Sequence, residues 1–156
     1  MPLAKPKERR PASTGATYQG DFYTWTQEQG ALLRGGRFEG IDRENIAEEI
    51  ESLGRSEFDK LVSFYRLVLL HMLKCDHQPE KYSRSWAISI EKHRESAAEV
   101  LADNPGLKPR IGEAMTRAYR HARRDAADET RLPMRTFPTE CPYTLDEIAE
   151  RPFPYE

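Results

Sequence analysis

From Ile46 to Met72 the apolar residues keep one helical phase. Ile46, Ile50, Leu53, Leu61, Phe64, Val68 and Met72 all fall on a single face. A stripe with that spacing buries itself along the side of a helix. From Leu67 the pattern widens to LVLLHMLKC, apolar nearly all round. A helix from about Glu57 to Asp76 is therefore predicted to be the central, most buried element of a bundle. Upstream, Asp42 is placed to cap ENIAEEIESL. Gly54, followed by Ser56 and Asp59 as a new capping box, predicts a break there, although the continuous apolar phase argues the other way.

The same reasoning places the remaining elements. Asp21 caps a helix through Arg34, with Phe22, Trp25, Gln29, Leu32 and Leu33 on its inner face and Gly35-Gly36 at its end. Pro79 stops the central helix, and Ser83 or Ser85 starts another with Trp86, Ile90, His93, Ala97, Val100 and Leu101 inward. Asn104-Pro105-Gly106 ends it. A further helix runs from about Pro109 to Thr130 with Ile111, Met115, Ala118, Ala122 and Ala126 inward. Beyond Leu132, five prolines alternate with Phe137, Tyr143, Phe153 and Tyr155, which suggests a strap packed over the bundle, with a short helix capped by Thr144 and Glu147. No segment alternates as a strand would. The expected fold class is all-α: about five or six helices, a buried central helix and a Pro/aromatic-rich C-terminal strap.

A chain of 156 residues can bury a core without disulfides or metal. Residues 1–17, with three prolines and four basic side chains, read as a disordered basic tail, and residues 18–156 as a single helical domain. The net charge of −2 argues against a dedicated nucleic-acid binder. The longest aliphatic run in the central helix, Leu67–Leu70, is far short of the ~20 residues a membrane helix needs. The start, MPLAKPKERRPAS, lacks the apolar core of a secretory signal. Cys75 and Cys141 form no CxxC pair, so a reducing cytoplasm is the expected compartment.

Several short motifs follow one another along the chain: Asp21-Phe22-Tyr23-Thr24-Trp25, Gly36-Arg37-Phe38, Leu53-Gly54-Arg55-Ser56, His71-Met72-Leu73-Lys74, Ser83-Arg84-Ser85-Trp86, and Phe137-Pro138 leading to Cys141-Pro142-Tyr143. Their order and spacing resemble the bacterial family called domain of unknown function twenty-nine, from about residue 21 to the C-terminus. The resemblance implies an almost entirely helical fold and brings no activity with it. The family pattern often has Gln at the position of His93, which speaks against a metal-binding imidazole there.

The sharpest candidate for chemistry is Glu49 with His71, Lys74 and His93, since carboxylates and imidazoles inside a helical bundle can hold a metal. The di-iron signature Glu-x-x-His is missing. On one continuous helix, Glu49 and His71 would stand about 33 Å apart. The simpler reading is of core histidines bonded to backbone carbonyls. His71, His93 and His121 lie on three different predicted helices and form a second candidate metal set. Lys74 could be an activated amine if buried, but in the last turn of a helix it is expected to reach solvent.

Between Lys108 and Arg135 there are eight basic and four acidic residues, with Arg110, Arg117, Arg120 and Arg124 gathered opposite the apolar stripe. This face is a possible basic surface and the basis of a weak nucleic-acid reading. Residues 42–60 and 140–156 are acidic in balance, and opposed patches of this kind favour pairing or self-association. The expectation is thus a cytoplasmic protein-interaction or scaffold module, non-enzymatic and without a cofactor. Its partner would be another protein or itself, with no membrane role. The alternative is a metal-dependent enzyme with a Glu/His site in the bundle.

Overall fold

The computed structural model describes residues 15–155. The basic tail expected over residues 1–17 lies outside the described residues up to position 14. The fold is all-α, a helical bundle, and no strand occurs among the described residues. Among the described residues, five α-helices follow in order: α1 (Phe22–Arg34), α2 (Arg43–His77), α3 (Arg84–Asp103), α4 (Ile111–Thr130) and α5 (Leu145–Glu150), joined by short 3₁₀ turns. Among the described residues no helix is long and apolar enough to cross a membrane. The chain divides into two compact units, one ending at Ser52 and the other beginning at Leu53.

In the first unit, Asp21 caps α1 by accepting the Thr24 N–H at 3.0 Å. Gly35 and Gly36 close it, with Gly36 at φ 65°, a left-handed turn that glycine takes without strain. Asp42 anchors the start of α2. Its carboxylate accepts the Trp25 indole N–H (3.2 Å) and the Asn45 amide (2.7 Å), while its own N–H donates to Gln29 Oε1 (2.7 Å). Those bonds, led by Asn45, hold the Asp42 carboxyl below its ordinary pKa. Tyr18 and Phe22 pack on Trp25 at 4.9 and 5.7 Å between ring centroids. Phe22 and Leu33, expected to face inward, remain 48% and 41% exposed. Their phase on α1 is right, but this unit covers each of them only in part.

The break expected at Gly54 does not occur, for α2 runs unbroken over 35 residues. A helical glycine costs about 1 kcal/mol relative to alanine, less than the hydrogen bonds that a break would forfeit. The capping box expected at Ser56 does not form, and Asp59 instead pairs with Arg117 on α4 at 2.9 Å.

The second unit carries the main core. Leu61, Val68, Leu69, Met72 and Leu73 of α2 are fully buried, with Ile90 of α3 and the alanine row Ala114, Ala118, Ala122 and Ala126 of α4. Ser83 sits at the N-cap of α3, yet its hydroxyl bonds Ser85 Oγ and not a helix N–H.

The C-terminal strap is bound to this core chiefly through its carbonyls. Tyr119 donates to Pro138 O (2.6 Å), Arg123 to Phe137 O (3.0 Å), Arg94 to Ile148 O (2.6 Å), and Tyr82 to Pro154 O. Phe137, Ile148 and Phe153 drop into the core, and Thr144 with Glu147 forms a complete capping box on α5. Asp76, near the end of α2, accepts both Arg151 guanidinium N–H groups (2.9 and 2.6 Å) and the Tyr143 hydroxyl (2.8 Å). Burial alone would raise the Asp76 pKa, but these donors outweigh it and lower the value.

Two substitutions test this account. The Cβ of Gly54→Ala would meet no atom within 4 Å, so the variant is expected to gain roughly 0.5–1 kcal/mol in chemical denaturation. Asp76→Asn removes the charge that faces Arg151, and a loss of about 1–3 kcal/mol is expected in the same measurement.

Candidate functional site

Two places in the second unit gather chemistry-bearing side chains. The first lies between α2 and α3. His71 Nδ1 donates to the Leu67 carbonyl at 2.8 Å, and His93 Nδ1 to the Ser89 carbonyl at 2.6 Å, each bond running one turn back along its own helix. The Ser89 hydroxyl lies 3.5 Å from the first imidazole nitrogen and 3.3 Å from the second. Burial lowers the His71 pKa, and the charges of Lys74 and His93 push it the same way, against the Leu67 bond and Glu129. His71 is therefore neutral at pH 7.

Lys74 corrects the sequence reading. Its ammonium does not run free into water. It pairs with Glu129 Oε2 at 2.7 Å and lies 4.6 Å over the Trp86 ring, with only 14% of the side chain exposed. Glu49 belongs to the first unit, where its carboxylate accepts the Tyr18 hydroxyl. It stands 22 positions before His71 along the single helix α2. The set of His71, His93 and His121 is not assembled either. Among the described residues no three His, Cys, Asp or Glu side chains are placed to hold a metal ion. The thiols are free, and burial first of all pushes Cys75 up to about 11 and raises Cys141, so both are protonated at neutral pH.

The second place is a groove of about 780 Å³ between α4 and the strap. Met115 and Ile148 are buried at its base, while Met134 (39%) and Leu145 (50%) stay exposed beside it. Tyr119 also lines it, and burial pushes its phenol up to about 12. The four arginines of the expected basic face differ in their partners. Arg110 pairs with Glu113 at 2.8 Å and stacks 3.9 Å over Phe58, and Arg117 pairs with Asp59. Arg120 and Arg124 line the groove and have no hydrogen bond or ion pair among the described residues. Arg123, between them, is held by the Phe137 and Met134 carbonyls. Sequence reasoning missed the groove because its other wall is the strap, and no local periodicity tells where an irregular segment will lie.

The family model described as Domain of unknown function DUF29 matches residues 17–154. The chain belongs to this family. None of the curated proteins compared with it matches, and none of the solved structures does. Membership in DUF29 thus agrees with the helical fold and leaves activity to be argued from the geometry.

His71 offers a direct test of that geometry. Its partner, the Leu67 carbonyl, is a helical acceptor that keeps its backbone bond, so His71→Leu strands no buried group. The variant is expected to melt within about 1 kcal/mol of wild type at pH 7. Because the folded pKa of His71 is depressed, its unfolded form takes up a proton first as pH falls below about 6.5. Wild type should therefore lose stability on acidification in a way that His71→Leu does not, as read by thermal melts across pH 5–7.5.

Proposed function

We propose that this DUF29 protein is a protein–protein interaction module that self-associates through its first unit. One observation supports this reading above the others. Of the described residues 15–52, only Trp25 is buried, while Tyr23, Phe38 and Ile50 keep 74%, 64% and 64% of their surface exposed, beside Phe22 and Leu33. A helical pair this small has too little core of its own, since segments under roughly 40 residues rarely hold together without outside support. Large apolar side chains left exposed in such number within a short segment mark contact surfaces.

A second copy of the chain is the partner that this surface suits best. Closed homo-oligomers are the commonest assemblies, and a two-fold contact needs only one self-complementary apolar patch. The two free thiols, Cys75 and Cys141, are compatible with a reducing compartment, and we place the protein in the cytoplasm.

Light scattering coupled to size exclusion tests the reading. Wild type is expected to run as a dimer or larger species that dissociates on dilution. Phe38→Asp with Ile50→Glu should run as a monomer of unchanged helical circular dichroism. A wild type that stays monomeric at every attainable concentration would refute self-association.

A further inference from the structure

We infer that the groove between α4 and the strap is a docking site for an acidic, amphipathic peptide segment of a partner protein, distinct from the self-association surface of the first unit. The charges of the groove carry the argument. On α4, Arg117 and Arg123 are already engaged by Asp59 and by strap carbonyls, whereas Arg120 and Arg124 are not. These two stand four residues apart on one helix, so they are neighbours one turn apart, about 6 Å along the axis. That spacing suits two carboxylates one turn apart on a facing segment. Arginine presents a planar fork to a carboxylate and is weakly hydrated, which makes it the usual cation at protein contacts.

The opposite wall narrows the choice of ligand. Glu140 lines the groove from the strap and, like the two arginines, has no hydrogen bond or ion pair among the described residues. A compact polyanion, such as a phosphate or a nucleic-acid backbone, would meet that carboxylate as a like charge. A helical segment with acids along one edge and a basic residue along the other meets three complementary charges. Met134 and Leu145, exposed beside the groove, supply the apolar anchorage that such a segment needs. Methionine adapts its shape to different side chains, a property typical of peptide-binding surfaces. The groove volume of about 780 Å³ accommodates a few side chains of an entering segment.

The test uses the full chain in the Phe38→Asp/Ile50→Glu background, so that self-association and groove binding are read separately. A random peptide display library is selected on this protein and counter-selected on its Arg120→Glu/Arg124→Glu form, both first shown by circular dichroism to be folded. Enriched peptides should carry paired Asp or Glu one helical turn apart beside Leu, Ile or Phe. Synthetic copies should lose about tenfold or more in affinity for the double variant in fluorescence anisotropy. Replacing their acids with Lys should restore binding to the double variant and abolish it to the parent. No enrichment over the double variant, or enriched peptides without an acidic bias, overturns the proposal. So does stabilisation of the parent by inorganic phosphate or decanoate when no peptide binds, an outcome that would assign the groove to a small anion.

Discussion

The strap beyond Leu132 has few main-chain partners of its own, because prolines interrupt it and, among the described residues, only the 3₁₀ turn Met134–Thr136 and the short helix α5 form within it. A carbonyl left unpaired against a packed surface costs about as much as a lost hydrogen bond. Side chains from the bundle supply the missing donors: Tyr82, Arg94, Tyr119 and Arg123 each reach a strap carbonyl. Arg151 closes the arrangement from the other side by returning to Asp76. With those bonds in place, Phe137, Ile148 and Phe153 are held in the core. One wall of the groove along α4 exists because of the same bonds, so the site depends on how the strap is satisfied.

The same accounting separates cations with structural duties from those left over. Exposed ion pairs such as Arg110–Glu113 and Arg117–Asp59 contribute little stability, because water screens them. Their consequence is geometric, for they remove two of the four arginines that form a basic face on a helical wheel. The two that remain lie beside apolar side chains, which changes the chemistry of the face from a phosphate-contacting strip to an amphipathic groove. Lys74 illustrates the same point in the interior. Glu129 and the Trp86 ring take its charge, and the apparent catalytic amine becomes a link between helices.

The two units differ in how far their sequence patterns are fulfilled. In the second, Leu61, Val68 and Met72 of the α2 stripe are buried and Phe64 is partly buried, while Leu53, at the edge of the unit, stays 70% exposed. In the first, positions of equally sound periodicity, Phe22, Leu33 and Ile50, face outward. Periodicity states which residues share a face and says nothing of whether a neighbour covers it. Asp42 shows what the first unit relies on in place of a core: a polar knot joining Trp25, Gln29 and Asn45.

Read alone, the residues determined what short-range physics controls. The all-α class, the caps at Asp21 and Thr144, the stop at Gly35-Gly36, the buried second half of α2 and the aromatic strap all depend on spacings of a few positions. Tertiary structure decided whatever depends on residues far apart in the chain. It carried α2 through Gly54, because a continuous hydrogen-bond ladder outweighs one glycine. It sent Lys74 to Glu129, bound the imidazoles to carbonyls of their own helices, and selected Arg120 and Arg124 from a run of similar side chains. A side chain's role follows from which partners reach it, and those partners lie dozens of residues away.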